Sequence, residues 1–384
     1  MIHYGKQEIL DSDIENVVEV LKSDFLTQGP QVPKFENLVR DFVGSKFSVA
    51  FNSSTSALHI SCLSLGLSSG DIVWTSPITF VASANCALYC GAKLDFVDID
   101  PITYNISLIK LREKLIIAKK NNSLPKIIIP VHMTGQSCDM EEIYLLSKQY
   151  GFKIIEDASH AIGGKYKGNY IGDCKFSDIT VFSFHPVKII TTGEGGIATT
   201  NDLDIADKLS NLRTHGITKD LRLLEKKNIG SWYYEQIDLG YNYRMTDIHA
   251  ALGCSQIQRL KTYVKTRNEI ANKYDNLLKE LPIKTPYQCN DRMSSRHLYV
   301  IRIDYSKSNF DKKESFEKML SFGIGVNLHY IPVYSHPFYQ KMGFKSSDFP
   351  ESEKYYSEAM SIPLHPKLSD NDIDQVVSSL KQLF

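Results

Sequence analysis

Residues 179–196 read Ile-Thr-Val-Phe-Ser-Phe-His-Pro-Val-Lys-Ile-Ile-Thr-Thr-Gly-Glu-Gly-Gly. The run Thr180-Val181-Phe182 lacks alternation of polar and apolar residues, which is typical of a strand buried on both faces of a largely parallel sheet. Lys188 follows on an irregular segment, where loss of solvent would lower its pKa and free a neutral amine for Schiff-base chemistry. Alone, the segment fits better a lysine whose aliphatic chain lies along the surface with its amine in water.

The same alternation of short apolar runs and helical patterns extends from about residue 48 to residue 200, and it predicts an α/β fold. The expected strands are residues 48–51, 72–75, 93–97, 126–131, 153–156, 179–184 and 196–199. The expected helices are residues 56–65, 79–89, 108–119 and 140–150.

The second part of the chain has a different pattern of apolar residues. Residues 247–281 contain no proline before Pro282 and a single glycine, and their apolar residues recur at helical spacing, which predicts one long helix. Strands are expected at 297–303 and 325–329, and a closing amphipathic helix at 370–383. We therefore expect a large α/β domain over residues 1–252 and a smaller α+β domain over residues 253–384.

The composition is that of a globular protein, with 42% apolar and 23% charged residues in 384. Basic and acidic residues both number 44, which argues against a nucleic-acid or anionic-membrane surface. The first residues show no signal-peptide pattern, and no apolar run is long enough to span a bilayer. Seven scattered cysteines without a CxxC spacing favour buried thiols over a metal site, so we expect a cytoplasmic protein without a metal.

A carboxylate ends the strand at residues 153–157. Ligands of α/β sheets bind at the carboxyl ends of parallel strands, which is where Asp157 is expected. A pyridoxal cofactor needs such a carboxylate against its ring nitrogen, to keep the ring an electron sink. The alternative is that Asp157 caps the segment after it. Glu156 would point to the opposite face of the strand.

Two further segments supply what such a cofactor needs. Residues 52–58, Asn-Ser-Ser-Thr-Ser-Ala-Leu, join a strand to a helix start, whose N–H groups and hydroxyls suit a phosphate. Phe80 follows another strand end and could stack on a flat ring. Each has a plain structural alternative, an ordinary helix cap and a core aromatic. Phosphate cradle, ring stack, carboxylate and amine nevertheless follow one another along one α/β domain.

Seven segments together resemble the DegT/DnrJ/EryC1/StrS family of sugar aminotransferases, over essentially the whole chain. They are residues 26–30, 52–58, 75–85, 156–163, 182–196, 240–247 and 329–332. The resemblance implies a fold-type I enzyme dependent on pyridoxal 5′-phosphate, with a mostly parallel central sheet sandwiched by helices. It also implies that pyridoxamine phosphate is the alternate form of the cofactor.

The resemblance implies roles for three catalytic residues. Lys188 would bind the cofactor as a Schiff base and then move the proton between cofactor and substrate. Asp157 would pair with the ring nitrogen, and His160 would reach the phenolic oxygen. The dehydratase branch of the family has a histidine where this chain has Lys188, so transamination is expected.

Other roles implied by the resemblance concern binding. Phe80 would stack on the ring, and Thr55, Ser56 and Ser183 would hold the phosphate. Asn242 would reach the phosphate from the neighbouring subunit, so the active protein is expected to be a homodimer with shared sites.

Thr27, His329 and Tyr330 are candidate contacts for the sugar or diphosphate, since hydroxyls and imidazoles suit phosphate oxygens. Their alternatives are a turn residue for Thr27 and packing between domains for the other two.

Within the family, residues 185–196 are similar to enzymes of pseudaminic acid biosynthesis. That similarity implies amination of C4 of a UDP-4-keto-6-deoxy-N-acetyl-hexosamine with L-glutamate as donor. The same chemistry on a GDP-perosamine, legionaminic or dTDP-amino-sugar precursor stays open. A nicotinamide-dependent oxidoreductase would need a GxGxxG after the first strand, where residues 52–58 contain no glycine. A catalytically inert regulatory homologue is the non-enzymatic alternative.

Overall fold

The computed structural model describes residues 1–227 and 229–384, and fifteen strands lie in these ranges. In chain order they are β1 (Phe47–Phe51), β2 (Ile72–Thr75), β3 (Lys93–Phe96), β4 (Ile127–Ile129), β5 (Lys153–Asp157), β6 (Lys165–Tyr166), β7 (Asn169–Tyr170), β8 (Ile179–Ser183), β9 (Gly196–Thr200), β10 (Ile217–Thr218), β11 (Glu235–Gln236), β12 (Ile283–Lys284), β13 (Arg292–Met293), β14 (Tyr299–Ile303) and β15 (Ala359–Ile362).

The α-helices surround these strands. They are α1 (Asp11–Leu21), α2 (Gln31–Val43), α3 (Ser54–Ser64), α4 (Ala82–Tyr89), α5 (Leu108–Lys120), α6 (Met140–Tyr150), α7 (Leu203–Leu212), α8 (Asp247–Gln256), α9 (Leu260–Leu277), α10 (Lys312–Ser321), α11 (Pro337–Gln340), α12 (Pro350–Glu358) and α13 (Asp370–Lys381). None of the described helices is long and apolar enough to cross a membrane.

The central sheet has seven strands in the order β1-β9-β8-β5-β4-β2-β3. Strand β9 runs antiparallel to both of its neighbours, and the pairs from β8 to β3 are parallel. The predicted sheet is confirmed, and each predicted strand agrees with an observed one to within two residues. The sheet could be predicted because its central strands are buried. Strands β8 and β9 are buried along their whole length, and such strands have few charged or strongly polar residues in the sequence.

This topology brings four strand ends to one edge. Strands β1, β2, β5 and β8 share a direction, so the segments that follow them converge there. After β8 the chain returns through residues 184–195 to β9. The Phe184 N–H donates to the Gly195 carbonyl at 2.9 Å, and the Thr192 N–H donates to the Phe184 carbonyl at 3.0 Å. These bonds close the loop that contains Lys188.

A second hydrophobic core surrounds the small antiparallel sheet β12-β14-β15, with buried residues from α9, α10 and α13. The N-terminus contributes to it, since Ile2 forms a bridge with Ile324. The domain division at residues 252 and 253 stays a prediction, and this position lies inside α8.

The prediction of one helix over residues 247–281 is wrong, because a 3-10 turn at Ile257–Arg259 separates α8 from α9. Asp13, fully buried on α1, accepts hydrogen bonds from Gln256 at 2.8 Å and Arg259 at 2.7 Å, next to and within this turn. The spacing of apolar residues along 247–281 does not reveal a contact with a residue more than 240 positions away, so the break could not be predicted from it. The strand predicted at 325–329 is also absent from the described structure, where only Asn327 forms a bridge, with Ser361.

Candidate active site

A cavity of about 410 Å³ opens at the edge where the four strand ends converge. Segments after β1, β2, β5 and β8 form one side, and Tyr4, His329 and Tyr330 form the other. Eight of the eleven residues predicted for the site line it, namely Thr55, Phe80, Asp157, His160, Ser183, Lys188, His329 and Tyr330. The three that do not are Thr27, Ser56 and Asn242.

Lys188 lies half-buried in the cavity wall, and its backbone N–H donates to the His185 carbonyl at 2.9 Å. Loss of solvent lowers the pKa of its amine to about 8, against the opposing effect of the Asp157 charge. Because a lowered pKa makes more neutral amine available, Lys188 is suited to nucleophilic attack on a carbonyl. The local sequence favours a Lys188 amine exposed to water on the surface, and this prediction is wrong, because the amine lies in the cavity wall.

Three imidazoles lie around this amine. Burial lowers the pKa of His329 to about 3 and holds the pKa values of His160 and His297 well below the usual range; the Lys188 cation lowers each further. All three are therefore neutral at pH 7, and the two that line the cavity, His160 and His329, add hydrogen-bonding groups to it without adding charge.

The pKa of Lys188 predicts a pH dependence for cofactor capture by the apoprotein. Since the folded-state pKa is about 8, the neutral fraction should rise from about a tenth at pH 7 to about nine-tenths at pH 9. The rate of pyridoxal-phosphate attachment, followed by stopped-flow absorbance, should rise over this interval and then level off. A rate that keeps rising beyond pH 10 would instead indicate an ordinary solvated lysine.

Asp157 is the last residue of β5 and is only 5% exposed. Its Oδ2 accepts a hydrogen bond from Ser83 Oγ at 2.5 Å, and its Oδ1 accepts one from the Ser159 N–H at 3.1 Å. Glu156 faces the other side of the strand, where its carboxylate contacts His132 Nε2 at 2.6 Å. The alternation of side chains along a strand therefore gives the two neighbouring carboxylates different surroundings.

His160 and Tyr330 both line the cavity and are in direct contact. His160 Nε2 lies 2.9 Å from the Tyr330 hydroxyl, while the buried Nδ1 of His160 has no partner among the described residues. Burial raises the pKa of Tyr330 above its usual range, so the hydroxyl keeps its proton and can donate to His160. The Tyr330 hydroxyl therefore fixes the orientation of the His160 ring in the cavity wall.

The remaining walls fit a flat phosphorylated ligand. Phe80 is 58% exposed although its ring is apolar, and it lies 6.2 Å from the Tyr330 ring. Another part of the wall suits an anion. Helix α3 begins at Ser54 and directs the positive end of its dipole toward the cavity, beside Thr55 and Ser183. The residues present thus fit the phosphate and ring of pyridoxal phosphate.

Ser56 does not face this cavity. Its hydroxyl donates to Asn52 Oδ1 at 2.6 Å and lies 2.9 Å from Ser53 Oγ, which caps α3. Thr55 presents its side chain to the cavity instead. In a run of small polar residues the sequence does not indicate which hydroxyl caps the helix and which is left for a ligand.

Thr27 and Asn242 are exposed outside the cavity. Thr27 forms a bridge with Thr246, and Asn242 forms one with Thr214. Their contacts with substrate or cofactor stay predictions. Conversely, sequence reasoning missed Tyr4, Thr79, Ser83 and Ser159; of these, only the spacing of four between Thr79 and Ser83 could have indicated a shared helix face.

Comparison with known proteins agrees with this geometry. Residues 7–381 match the DegT/DnrJ/EryC1/StrS aminotransferase family. The chain is 40% identical to the spore coat polysaccharide biosynthesis protein SpsC of Bacillus subtilis, with 99% of this chain and 95% of SpsC covered. It is 39% identical to the UDP-4-amino-4,6-dideoxy-N-acetyl-beta-L-altrosamine transaminase of Campylobacter jejuni, over 99% of this chain and 96% of that protein.

Among solved structures, the chain is similar to Helicobacter pylori PseC, an aminotransferase involved in the biosynthesis of pseudoaminic acid. The TM-score is 0.90 at 32% identity, covering 100% of this chain and 99% of PseC. The family match confirms the expected resemblance, fold class and cofactor, and it excludes the oxidoreductase alternative. The chain belongs to the DegT/DnrJ/EryC1/StrS aminotransferase family and is a pyridoxal-phosphate-dependent sugar aminotransferase.

Proposed function

We propose that the protein transfers the amino group of L-glutamate to C4 of a UDP-4-keto-6-deoxy-N-acetyl-hexosamine. The observation that carries the proposal is one cavity holding the Lys188 amine, the Asp157 carboxylate and the neutral imidazoles of His160 and His329. The choice of sugar is supported by the similarity to the Campylobacter transaminase and to PseC.

Bound pyridoxal phosphate would supply an electron sink for charge that develops on the substrate carbon. Asp157 would keep a proton on the ring nitrogen, because an adjacent carboxylate favours the protonated form. Lys188 Nζ would remove the α-proton of glutamate and, in the second half of the cycle, move a proton onto C4 of the sugar. The two substrates would use the cavity in turn, so 2-oxoglutarate would leave before the keto-sugar binds.

Binding would be divided among the cavity walls. Thr55, Ser183 and the first turn of α3 would hold the phosphate, and Phe80 would cover one face of the ring. His160 would offer a nitrogen to the phenolic oxygen. His329 and Tyr330 would contact the sugar nucleotide from the opposite wall.

We propose further that a second copy of the chain completes the site. Thr27 pairs with Thr246, and the Asp247 N–H donates to the Leu26 carbonyl at 3.0 Å, so residues 25–27 and 240–247 form one continuous surface. Large apolar side chains lie exposed in these two segments or just before the second, namely Phe25, Leu26, Ile237 and Leu239. Exposed apolar side chains along such a surface favour a protein interface, and Asn242 belongs to the second of its two segments.

Charge substitution at Leu239, which is 77% exposed, tests this interface. Leu239→Asp should convert the dimer to monomer and weaken retention of pyridoxal phosphate, because a carboxylate would lose solvent at the interface. Ile109→Asp is the matched control, since Ile109 is 67% exposed on α5 and should leave the dimer intact. Light scattering after size exclusion would measure the oligomeric state of both variants, and the absorbance of the bound cofactor would measure its retention. A Leu239→Asp protein that stays dimeric with full cofactor would contradict the assignment.

The sugar is tested by a panel of acceptors. Protein loaded with the amino form of the cofactor should aminate the UDP-linked N-acetylated 4-keto-6-deoxy sugar with higher kcat/KM than its GDP- and dTDP-linked counterparts. A preference for a GDP- or dTDP-linked sugar would replace the UDP assignment while leaving the aminotransferase chemistry in place.

A further inference from the structure

A line of three hydrogen-bonded side chains runs from the second strand end to the carboxylate of Asp157. Ser83 Oγ lies 2.5 Å from Asp157 Oδ2, and Thr79 Oγ1 lies 2.8 Å from Ser83 Oγ. Ser83 is fully buried and Thr79 almost so. Water therefore has little access to these hydroxyls, and their protons are shared within the line.

The direction of each hydrogen bond follows from the number of protons available. An ionised carboxylate only accepts, so the single hydroxyl proton of Ser83 is donated to Asp157. Ser83 then has only lone pairs to offer Thr79, and the hydroxyl of Thr79 must donate to Ser83. Both dipoles consequently point toward Asp157, and hydrogen bonds in such a chain strengthen one another where solvent is excluded.

The same stretch of chain presents Phe80 to the cavity. Phe80 directly follows Thr79, and the Ser83 N–H donates to the Phe80 carbonyl at 3.2 Å at the start of α4. One turn thus presents the Phe80 ring to the cavity and connects the Thr79 hydroxyl, through that of Ser83, to Asp157. Asp157 has only one further donor among the described residues, the Ser159 N–H.

We propose that Thr79 and Ser83 are positioning residues that keep Asp157 ionised and oriented toward the ring nitrogen of the cofactor. This inference rests on the proposed role of Asp157. Neither hydroxyl needs to touch the cofactor; Ser83 acts through Asp157, and Thr79 acts through Ser83. Without them, one oxygen of Asp157 would be buried with no donor, which disfavours the charged form that must hold the ring proton.

Two pairs of variants test the line. Ser83→Ala removes the donor, and Thr79→Val removes the second hydroxyl with little change of shape, whereas Thr79→Ser keeps it. Ser76→Ala is the matched control, because Ser76 is buried in the same segment and its hydroxyl has no partner among the described residues.

The direct readout is the ¹⁵N chemical shift of pyridoxal phosphate labelled at its ring nitrogen and bound to each variant. We expect Ser83→Ala to shift this signal toward the unprotonated position and to slow the glutamate half-reaction about ten- to hundred-fold, the factor that one hydrogen bond to a charged group carries. Thr79→Val should show the same changes to a smaller extent. Thr79→Ser and Ser76→Ala should match the wild type.

Asp157→Asn, measured alongside, separates the two levels of the proposal. If Asp157→Asn keeps a protonated ring nitrogen, the proposed role of Asp157 is wrong. If Asp157→Asn loses the proton but Ser83→Ala and Thr79→Val keep the wild-type signal, the positioning role is wrong while the proposed function stands. Should Ser83→Ala fail to fold, the Thr79→Val and Thr79→Ser pair decides the matter, because both retain a side chain of similar size.

Discussion

Lys188→Ala is expected to abolish transamination, lowering the rate of the glutamate half-reaction by at least about a thousand-fold. Lys188 is the one lysine among the described residues that line the cavity, so no other amine there can bind the cofactor covalently or move the proton. The loss would appear as the disappearance of both the absorbance band of lysine-bound cofactor and the covalent adduct seen by mass spectrometry after borohydride reduction.

Lys175→Ala serves as the control, because Lys175 is exposed and does not line the cavity. It should keep the adduct and the wild-type rate. A Lys188→Ala protein that still exchanged amino groups at a near wild-type rate would show that the chemistry is carried out elsewhere.

Asp157→Asn is expected to have the second largest effect, slowing the glutamate half-reaction by about a hundred- to a thousand-fold. The amide keeps the shape of the carboxylate and can still accept from Ser83, so cofactor affinity should fall much less than the rate. What is lost is the negative charge that holds the ring proton. Single-turnover kinetics and a cofactor titration measure the two quantities separately.

Glu156→Gln is the matched control, because Glu156 is the adjacent carboxylate on the opposite face of β5. It should lower the melting temperature, since its buried contact with His132 is disturbed, yet leave the half-reaction rate of the folded protein unchanged. Equal kinetic losses in Asp157→Asn and Glu156→Gln would contradict the assignment of Asp157 to the ring nitrogen.

Local patterns were sufficient to predict the sheet and the residues that directly follow its strands. Strand β8 is apolar because both of its faces are buried, and the strict alternation along β5 separates Asp157 from Glu156. Lys188 and Asp157 could be predicted to lie close together because parallel strands end at the same edge. The neutral imidazole of His297 close to them could not be predicted, since it comes from a distant part of the chain.

Three features could not be predicted from local patterns, because they depend on contacts between remote segments or on another copy of the chain. The break before α9 coincides with hydrogen bonds to Asp13, more than 240 residues away. That Ser56 faces away from the cavity could not be predicted, because the orientation of a hydroxyl in the first turn of a helix depends on Asn52 and the cap. Asn242 was expected from resemblance to act across a subunit interface, which no single chain can display.

Transfer of isotope from ¹⁵N-labelled L-glutamate to a UDP-4-keto-6-deoxy-N-acetyl-hexosamine measures the proposed reaction itself. With pyridoxal-phosphate-loaded protein, we expect a UDP-linked amino sugar whose ¹⁵N is bonded to C4, together with one equivalent of 2-oxoglutarate, and neither product with Lys188→Ala. Labelled product formed equally by Lys188→Ala, or no labelled sugar from wild-type protein that readily converts glutamate, would contradict it.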